Sequence, residues 1–340
     1  MSSVKSGAKT MSDSNNSKPK VYIHRIGPKY SLYMNEKNEA DLSSFAEVVN
    51  DGPTVEERSR ESIVARLQGC SAILSLAGGW SAEITGDVLK TVGTVKAICI
   101  AHWGEQFVEA AKEANVPLTE GSNANTVAVA EWTLTAATMG IRKLHTFDKA
   151  MKSGSQWGEN RLDLGLVCES TIGLVGLGRI GAHCARMFTG LGAKVIAYDP
   201  YWTQEQADKA GATLVSMEEL LRTADVISLH LPVTPQTTGM FGAKEFAKIK
   251  DGAVFINSAR AALTDENALI VELKTKRFSA FLDVFAEEPA PMDHPFRSME
   301  NVVITPHFAG DNKAMLLRCG RQSVETLRIF FKGKGLKNYR

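Results

Sequence analysis

The chain has 340 residues, 44% of them apolar, and its 39 basic against 38 acidic residues leave a net charge of +1. That length supports two ordinary cores, and the near-neutral balance gives no electrostatic footprint for nucleic acid or an anionic membrane surface. The five cysteines, Cys70, Cys99, Cys168, Cys184 and Cys319, are odd in number and lack C-x-x-C spacing, which argues against a disulfide framework or a zinc site.

Residues 1–20 are rich in Ser, Lys and Asn and read as a disordered tail. From Val21 onward, short apolar strands alternate with helical patterns, as in a parallel sheet covered by helices. The expected strands are Val21–Ile23, Ala72–Leu76, Val95–Ile100 and Val116–Leu118, with helices at Val55–Leu67 and Glu105–Ala114. One long helix is expected from Thr126 to Met151. Further strands are expected at Val226–Leu231, Ala253–Asn257, Ala280–Phe285 and Val302–Thr305, with helices at Thr264–Lys276 and Asn312–Phe331. No uncharged apolar run approaches the roughly 18 residues of a membrane span, and the N-terminus has no apolar signal centre, so the expected setting is the cytosol, without a membrane partner.

The most informative stretch is Thr171-Ile-Gly-Leu-Val-Gly-Leu-Gly-Arg-Ile-Gly181, followed by Val195-Ile-Ala-Tyr-Asp199. It reads as a buried strand, a G-x-G-x-x-G turn opening a helix, and a second strand ending on an acid: a dinucleotide-binding fingerprint in its proper setting. Gly176 permits the tight turn, Gly178 lets the backbone approach a pyrophosphate, and Gly181 lets the helix pack closely on the sheet. The helix N-terminus supplies free N–H groups for the phosphates. Asp199 stands where a carboxylate would accept the ribose hydroxyls, which favours NAD over NADP because a 2′-phosphate would meet like charge.

Three polar constellations follow, each at or just past a strand end: Phe255-Ile-Asn-Ser-Ala-Arg260, Leu282-Asp-Val-Phe-Ala-Glu-Glu-Pro289 and Ile304-Thr-Pro-His307. Hydride exchange at a 2-oxo acid needs a cation for the carboxylate and an acid for the carbonyl oxygen. Arg260 offers a bidentate fork. His307 is suited to proton donation, particularly beside a carboxylate. No set of His, Cys and acidic residues has metal-ligand spacing, so no metal is expected.

Together with Tyr198-Asp-Pro-Tyr201 and His230-Leu-Pro232, these motifs resemble the D-isomer-specific 2-hydroxyacid dehydrogenases in order and spacing. The resemblance implies an α/β chain with two Rossmann-like domains around a cleft: a flavodoxin-like substrate domain of residues 21–124 plus 310–340, and an NAD-binding doubly wound parallel sheet of residues 125–309. It implies NAD as cofactor, a small 2-oxo or 2-hydroxy acid as substrate, and a homodimer formed through the nucleotide domain and the long helix. By position, Arg260 matches the substrate-binding arginine, Glu288 the carboxylate paired with the catalytic histidine, and His307 the general acid/base. Asp283 matches the acid near the nicotinamide amide, while Arg179, Ile180 and Asp199 match pyrophosphate and ribose contacts. Leu231, Pro232, Thr237, Ser258, Ala259 and Gly310, with Arg260 and His307 again, complete the implied cofactor set.

The chain also departs from the family. Ala261 stands where members carry Gly after the arginine. The substrate loops read Leu76-Ala-Gly-Gly-Trp80 and Ile100-Ala-His-Trp-Gly-Glu105, which makes Ala77, Gly78, Gly79, Trp80 and His102 the implied substrate contacts and leaves the substrate's side chain open. His24, His145, His183, His230 and His294 read as core-edge, helix or loop residues. The alternative from another class is an NAD(H)-sensing binding protein like the corepressors of the same family. A formate-oxidising reading is disfavoured because such enzymes place Gln where Glu288 stands.

Overall fold

The structure is a computed structural model that describes residues 17–24, 30–50, 58–76, 83–101, 105–155 and 163–336. Two compact units divide the chain, residues 1–121 with 317–340 and residues 122–316.

In the first unit β1 (Lys20–His24) is followed by α1 (Tyr30–Tyr33), α2 (Glu36–Phe45), β2 (Glu47–Val49), α3 (Arg60–Leu67), β3 (Cys70–Ser75), α4 (Gly86–Val92), β4 (Ala97–Ile100), α5 (Glu105–Ala114) and β5 (Leu118–Glu120). The five strands run parallel in the order β2-β1-β3-β4-β5. That is the flavodoxin-like order. Tyr22, Ile73, Ile98 and Phe107 are fully or almost fully buried in its core. Of the expected α3, residues 55–57 lie outside the described residues, and the helix starts only after Ser59, whose hydroxyl accepts the Ser62 N–H at 3.3 Å as an N-cap.

The second unit opens on α6 (Asn125–Ile141) and α7 (Leu144–Lys152). The single helix expected over Thr126–Met151 is therefore two. Lys143 takes a left-handed φ of 49° and its N–H turns back to the Gly140 carbonyl, which ends the first helix, while the apolar spacing runs on unbroken through Ile141 and Leu144. Then come β6 (Thr171–Val175), α8 (Arg179–Gly190), β7 (Lys194–Tyr198), α9 (Gln204–Ala210), β8 (Thr213–Leu214), α10 (Met217–Thr223), β9 (Val226–Leu229), α11 (Ala243–Phe246), β10 (Val254–Asn257), α12 (Glu266–Lys274), β11 (Ser279–Leu282) and β12 (Val302–Ile304). The seven strands are all parallel, in the order β12-β11-β10-β9-β6-β7-β8. The order reverses between β6 and β9, the switch point at which doubly wound sheets bind ligands.

Both faces of this sheet are covered, which is why its strands read as continuous apolar runs. Ile172, Leu174, Val226, Val254 and Ile256 pack beneath α6 and α8, whose Ala137, Cys184 and Phe188 are fully buried. Their neighbours Ile227, Leu229 and Phe255 face the other way, onto Leu220 and Leu221 of α10 and Leu269 and Leu273 of α12. Burying one such side chain contributes roughly 1.5–3 kcal/mol. The sheet is thus a rigid base for the loops at its C-terminal edge. Last, α13 (Lys313–Ile329) begins in the second unit and ends in the first, where its Leu317 carbonyl accepts from the buried Asn38 side chain at 3.3 Å. Among the described residues no helix is long and apolar enough to cross a membrane.

Candidate active site

The glycine turn after β6 is shaped by close approaches. Gly176 has φ +97°, and a Cβ there would stand 2.8 Å from the His230 carbonyl oxygen. A Cβ on Gly181 would stand 2.0 Å from the Gly176 carbonyl oxygen, so the first turn of α8 can pass this close to the glycine loop only with a glycine at 181. Gly178 is different: nothing lies within 4 Å of its Cβ position. Open space above a helix N-terminus is what a pyrophosphate needs.

Asp199, just past β7, accepts the Leu177 N–H on Oδ2 at 2.8 Å and the Tyr201 N–H on Oδ1 at 2.9 Å. Its carboxylate is thereby fixed beside the glycine turn. Arg179 and Ile180 form the first turn of α8, with Ile180 packed against the core. After β9, Leu231 and Pro232 lead into a loop closed by Thr237, whose hydroxyl donates to the Pro232 carbonyl at 2.7 Å. Ser258 follows β10 with its hydroxyl buried and without a hydrogen-bond partner, and the Ala259 N–H donates to the Asn257 side chain at 3.1 Å. Gly310 packs against the Asn125 side chain at the start of α6. The open Gly178 cradle, the fixed Asp199 carboxylate and the orphaned Ser258 hydroxyl fit a bound dinucleotide.

The three constellations stand on adjacent strands, Arg260 after β10, Glu288 after β11 and His307 after β12. His307 Nδ1 donates to Glu288 Oε2 at 2.7 Å, and Glu288 Oε1 accepts the Phe285 N–H at 3.0 Å. Burial pulls the Glu288 carboxyl up, but the hydrogen bonds from His307 and the Phe285 N–H, with the charges of His307 and Arg260, outweigh it and hold the group below its ordinary value of 4.5. Arg260 Nη1 donates to the Ala259 carbonyl at 2.6 Å, and the Asn257 side chain donates to the Arg260 carbonyl at 3.0 Å. These bonds orient the backbone and guanidinium at the strand end.

Asp283 is 1% exposed. It takes the Thr305 hydroxyl and the Phe308 N–H on Oδ1 and the Ala309 N–H on Oδ2, so it ties the end of β11 to the loop that carries His307. His230 is partly buried with its Nε2 shielded from solvent, and desolvation pushes its pKa down to about 4, so the ring is neutral. Ala77, Gly78, Gly79, Trp80 and His102 lie outside the described residues, as do residues 1–16 of the tail. Among the described residues no group of His, Cys, Asp or Glu could hold a metal ion.

Two clusters escaped the sequence reading. In the first unit His24, at the end of β1, bonds Glu83 through Nε2 at 2.8 Å and Ser75 through Nδ1 at 3.1 Å, all three being buried. In the second, His294 bonds Glu266 at 3.2 Å. Nothing in the local pattern around these histidines announces a partner so distant in sequence.

Residues 134–309, just over half the chain, match the family described as D-isomer specific 2-hydroxyacid dehydrogenase, NAD binding domain. The chain belongs to the D-isomer specific 2-hydroxyacid dehydrogenase family. NAD is the cofactor of the matched domain. The D-3-phosphoglycerate dehydrogenase of Archaeoglobus fulgidus is 31% identical over 82% of this chain and 53% of its own length, and the human one 31% identical over 82% and 52%. This family member thus spans about half the length of those relatives. Among solved structures, the D-lactate dehydrogenase of Lactobacillus jensenii with NAD+ superposes with a TM-score of 0.76 at 26% identity, covering 94% of this chain and 98% of that one. A phosphoglycerate oxidoreductase from Rhizobium etli shares the fold at TM-score 0.80 and 23% identity, covering 95% and 98%.

Proposed function

We propose that this protein is an NAD-dependent oxidoreductase that interconverts a 2-oxo acid and its D-2-hydroxy acid, with residues 125–309 binding the cofactor and residues 21–124 plus 310–340 serving as the substrate domain. The observation that carries this reading is the His307–Glu288 bond through Nδ1, at 2.7 Å. With Nδ1 committed to the carboxylate, Nε2 is the nitrogen left to exchange a proton with substrate. NADH, when bound, supplies the hydride.

In the reducing direction the Arg260 guanidinium pairs with the substrate carboxylate and orients the adjacent carbonyl. As negative charge develops on the carbonyl oxygen, His307 gives it the Nε2 proton. Glu288 stays ionised and holds the ring in the tautomer that keeps Nδ1 protonated. In oxidation the same nitrogen takes the hydroxyl proton. Gly176, Gly178, Arg179, Ile180, Gly181 and Asp199 hold the pyrophosphate and ribose, with Leu231, Pro232, Thr237, Ser258, Ala259, Asp283 and Gly310 around the rest of the cofactor. Ala77, Gly78, Gly79, Trp80 and His102, which lie outside the described residues, are the substrate contacts that the family resemblance implies.

The reading includes a homodimer formed through α6 and α7, supported by the half-exposed Leu144 and Met151 of α7. It also includes a cytosolic setting, in keeping with five free thiols. The test is loss of NADH absorbance with glyoxylate, hydroxypyruvate, pyruvate and phenylpyruvate, with NADPH run alongside. Turnover of at least one, with NADH preferred, is expected. Binding of NADH without turnover of any 2-oxo acid would overturn the assignment.

A further inference from the structure

The loop that carries Glu288 follows β11, and its Phe285 is buried in the core. A cavity of about 660 Å³ opens beside it, lined among others by Phe285, Glu288, Pro289, Ala290, Ile304 and His307. Polar ties add to packing in fixing a segment that borders such a space.

Those ties converge on Glu266, in the first turn of α12. Glu266 Oε2 accepts the Ala286 N–H at 3.0 Å and Oε1 takes His294 Nε2 at 3.2 Å. The His294 ring accepts the Phe296 N–H on Nδ1 at 3.3 Å, so its proton stands on Nε2 and is donated to Glu266. The pair is largely shielded, with side-chain exposures of 8% for His294 and 21% for Glu266. The Phe285 ring meets His294 edge-on, with centroids 5.7 Å apart. Consecutive N–H groups thus bind two different carboxylates: Phe285 donates to Glu288 and Ala286 to Glu266. Arg297 adds a further brace, donating to the Ala290 and Pro291 carbonyls at 2.9 and 2.7 Å.

We propose that Glu266 and His294 are positioning residues that hold the Phe285–Glu288 segment so that the Glu288 carboxylate stays on His307 Nδ1. The pair acts through Glu288 and touches neither substrate nor cofactor. The inference rests on the proposed roles of His307 and Glu288, but its central measurement does not require turnover.

That measurement is the titration of the Glu288 carboxyl by NMR in the wild-type protein and in Glu266→Gln and His294→Phe. If the pair positions Glu288, both substitutions weaken its bonds to His307 and the Phe285 N–H, and the midpoint rises toward that of an ordinary glutamate. If Glu266 acts only as a nearby charge, its removal lowers the midpoint and His294→Phe leaves it unmoved. Either of those results overturns the proposal. In turnover, kcat should fall by about 10- to 100-fold with KM for NADH unchanged. Adding Glu266→Gln to Glu288→Gln should cost nothing further. Multiplicative losses in that double variant would mean that Glu266 acts by some other route. Absence of turnover in the wild type would instead sink the oxidoreductase reading and leave the positioning measurement standing.

Discussion

Asp283 accepts the Ala309 N–H at 2.8 Å, so a buried carboxylate at the end of β11 anchors the backbone two residues beyond His307. His307 itself has φ +52°, in the left-handed region, where a non-glycine residue costs about 1–2 kcal/mol. The three bonds to Asp283 hold this loop against that cost. Asp283→Asn replaces one acceptor oxygen with an amide that faces the loop's donors. Unfolding in denaturant should show a loss on the order of 2–4 kcal/mol, with lower turnover. An unchanged midpoint would remove Asp283 from this role.

The two later glycines of the turn should respond oppositely to the same substitution. Gly181→Ala drives a Cβ to within 2.0 Å of the Gly176 carbonyl oxygen, and the backbone must shift. It should destabilise the second unit by roughly 2 kcal/mol or more. Gly178→Ala meets nothing within 4 Å, so thermal stability should hold. The new methyl would occupy the space the proposed site gives to the pyrophosphate, and NADH affinity should fall by at least about tenfold, 1.4 kcal/mol. Equal NADH binding in Gly178→Ala and wild type would place the dinucleotide elsewhere.

Asp199 combines two tasks that one substitution can separate by ligand. Its carboxylate accepts the Leu177 N–H and, in the proposed cofactor site, is the acceptor for the ribose hydroxyls. Asp199→Ser keeps a short acceptor and removes the charge that repels a 2′-phosphate. Titration of both cofactors should show NADH binding weakened and NADPH binding improved, narrowing their ratio by about tenfold or more. An undiminished ratio would show that discrimination lies in other residues.

For His307→Ala the expected loss is in the chemical step alone. Positioned proton transfer is worth roughly 10²–10⁴-fold in rate, so kcat should fall in that range while the Kd for NADH stays put. A protein that lost NADH binding as well would contradict the assigned role.

Much of this architecture was legible because a doubly covered parallel sheet writes its strands as continuous apolar runs. The β6 run Ile172–Val175 and the glycines after it were readable together, since both faces of the strand and the turn are constrained locally. α5 was placed residue for residue. β2, only Glu47–Val49 at the sheet edge, left no run to read. The break between α6 and α7 was invisible for the opposite reason: the apolar period continues across it, and only the backbone of Lys143 turns. Within the site, residue types and order pointed to Arg260, Glu288 and His307. The supporting bonds of Asp283, Glu266 and His294 join residues remote in sequence, and only the folded chain brings them together.

The Glu288–His307 pair also sets a pH dependence with a definite sign. Hydrogen bonds from His307 and the Phe285 N–H, together with nearby positive charge, hold the Glu288 carboxyl below its ordinary 4.5 despite the opposing effect of burial. Between the lowered folded value and the unfolded one, the unfolded chain binds more protons, so stability rises with pH through that window. The pair's contribution is therefore complete above about pH 4.5 and is lost as acid protonates the folded carboxylate. The side chain is 38% exposed, so solvent screening keeps the contribution small. Chemical unfolding followed from pH 7 to pH 3 should show wild type losing stability more steeply below pH 4.5 than Glu288→Gln, whose amide does not titrate. Parallel curves would mean that the carboxylate gains nothing from its partners on folding.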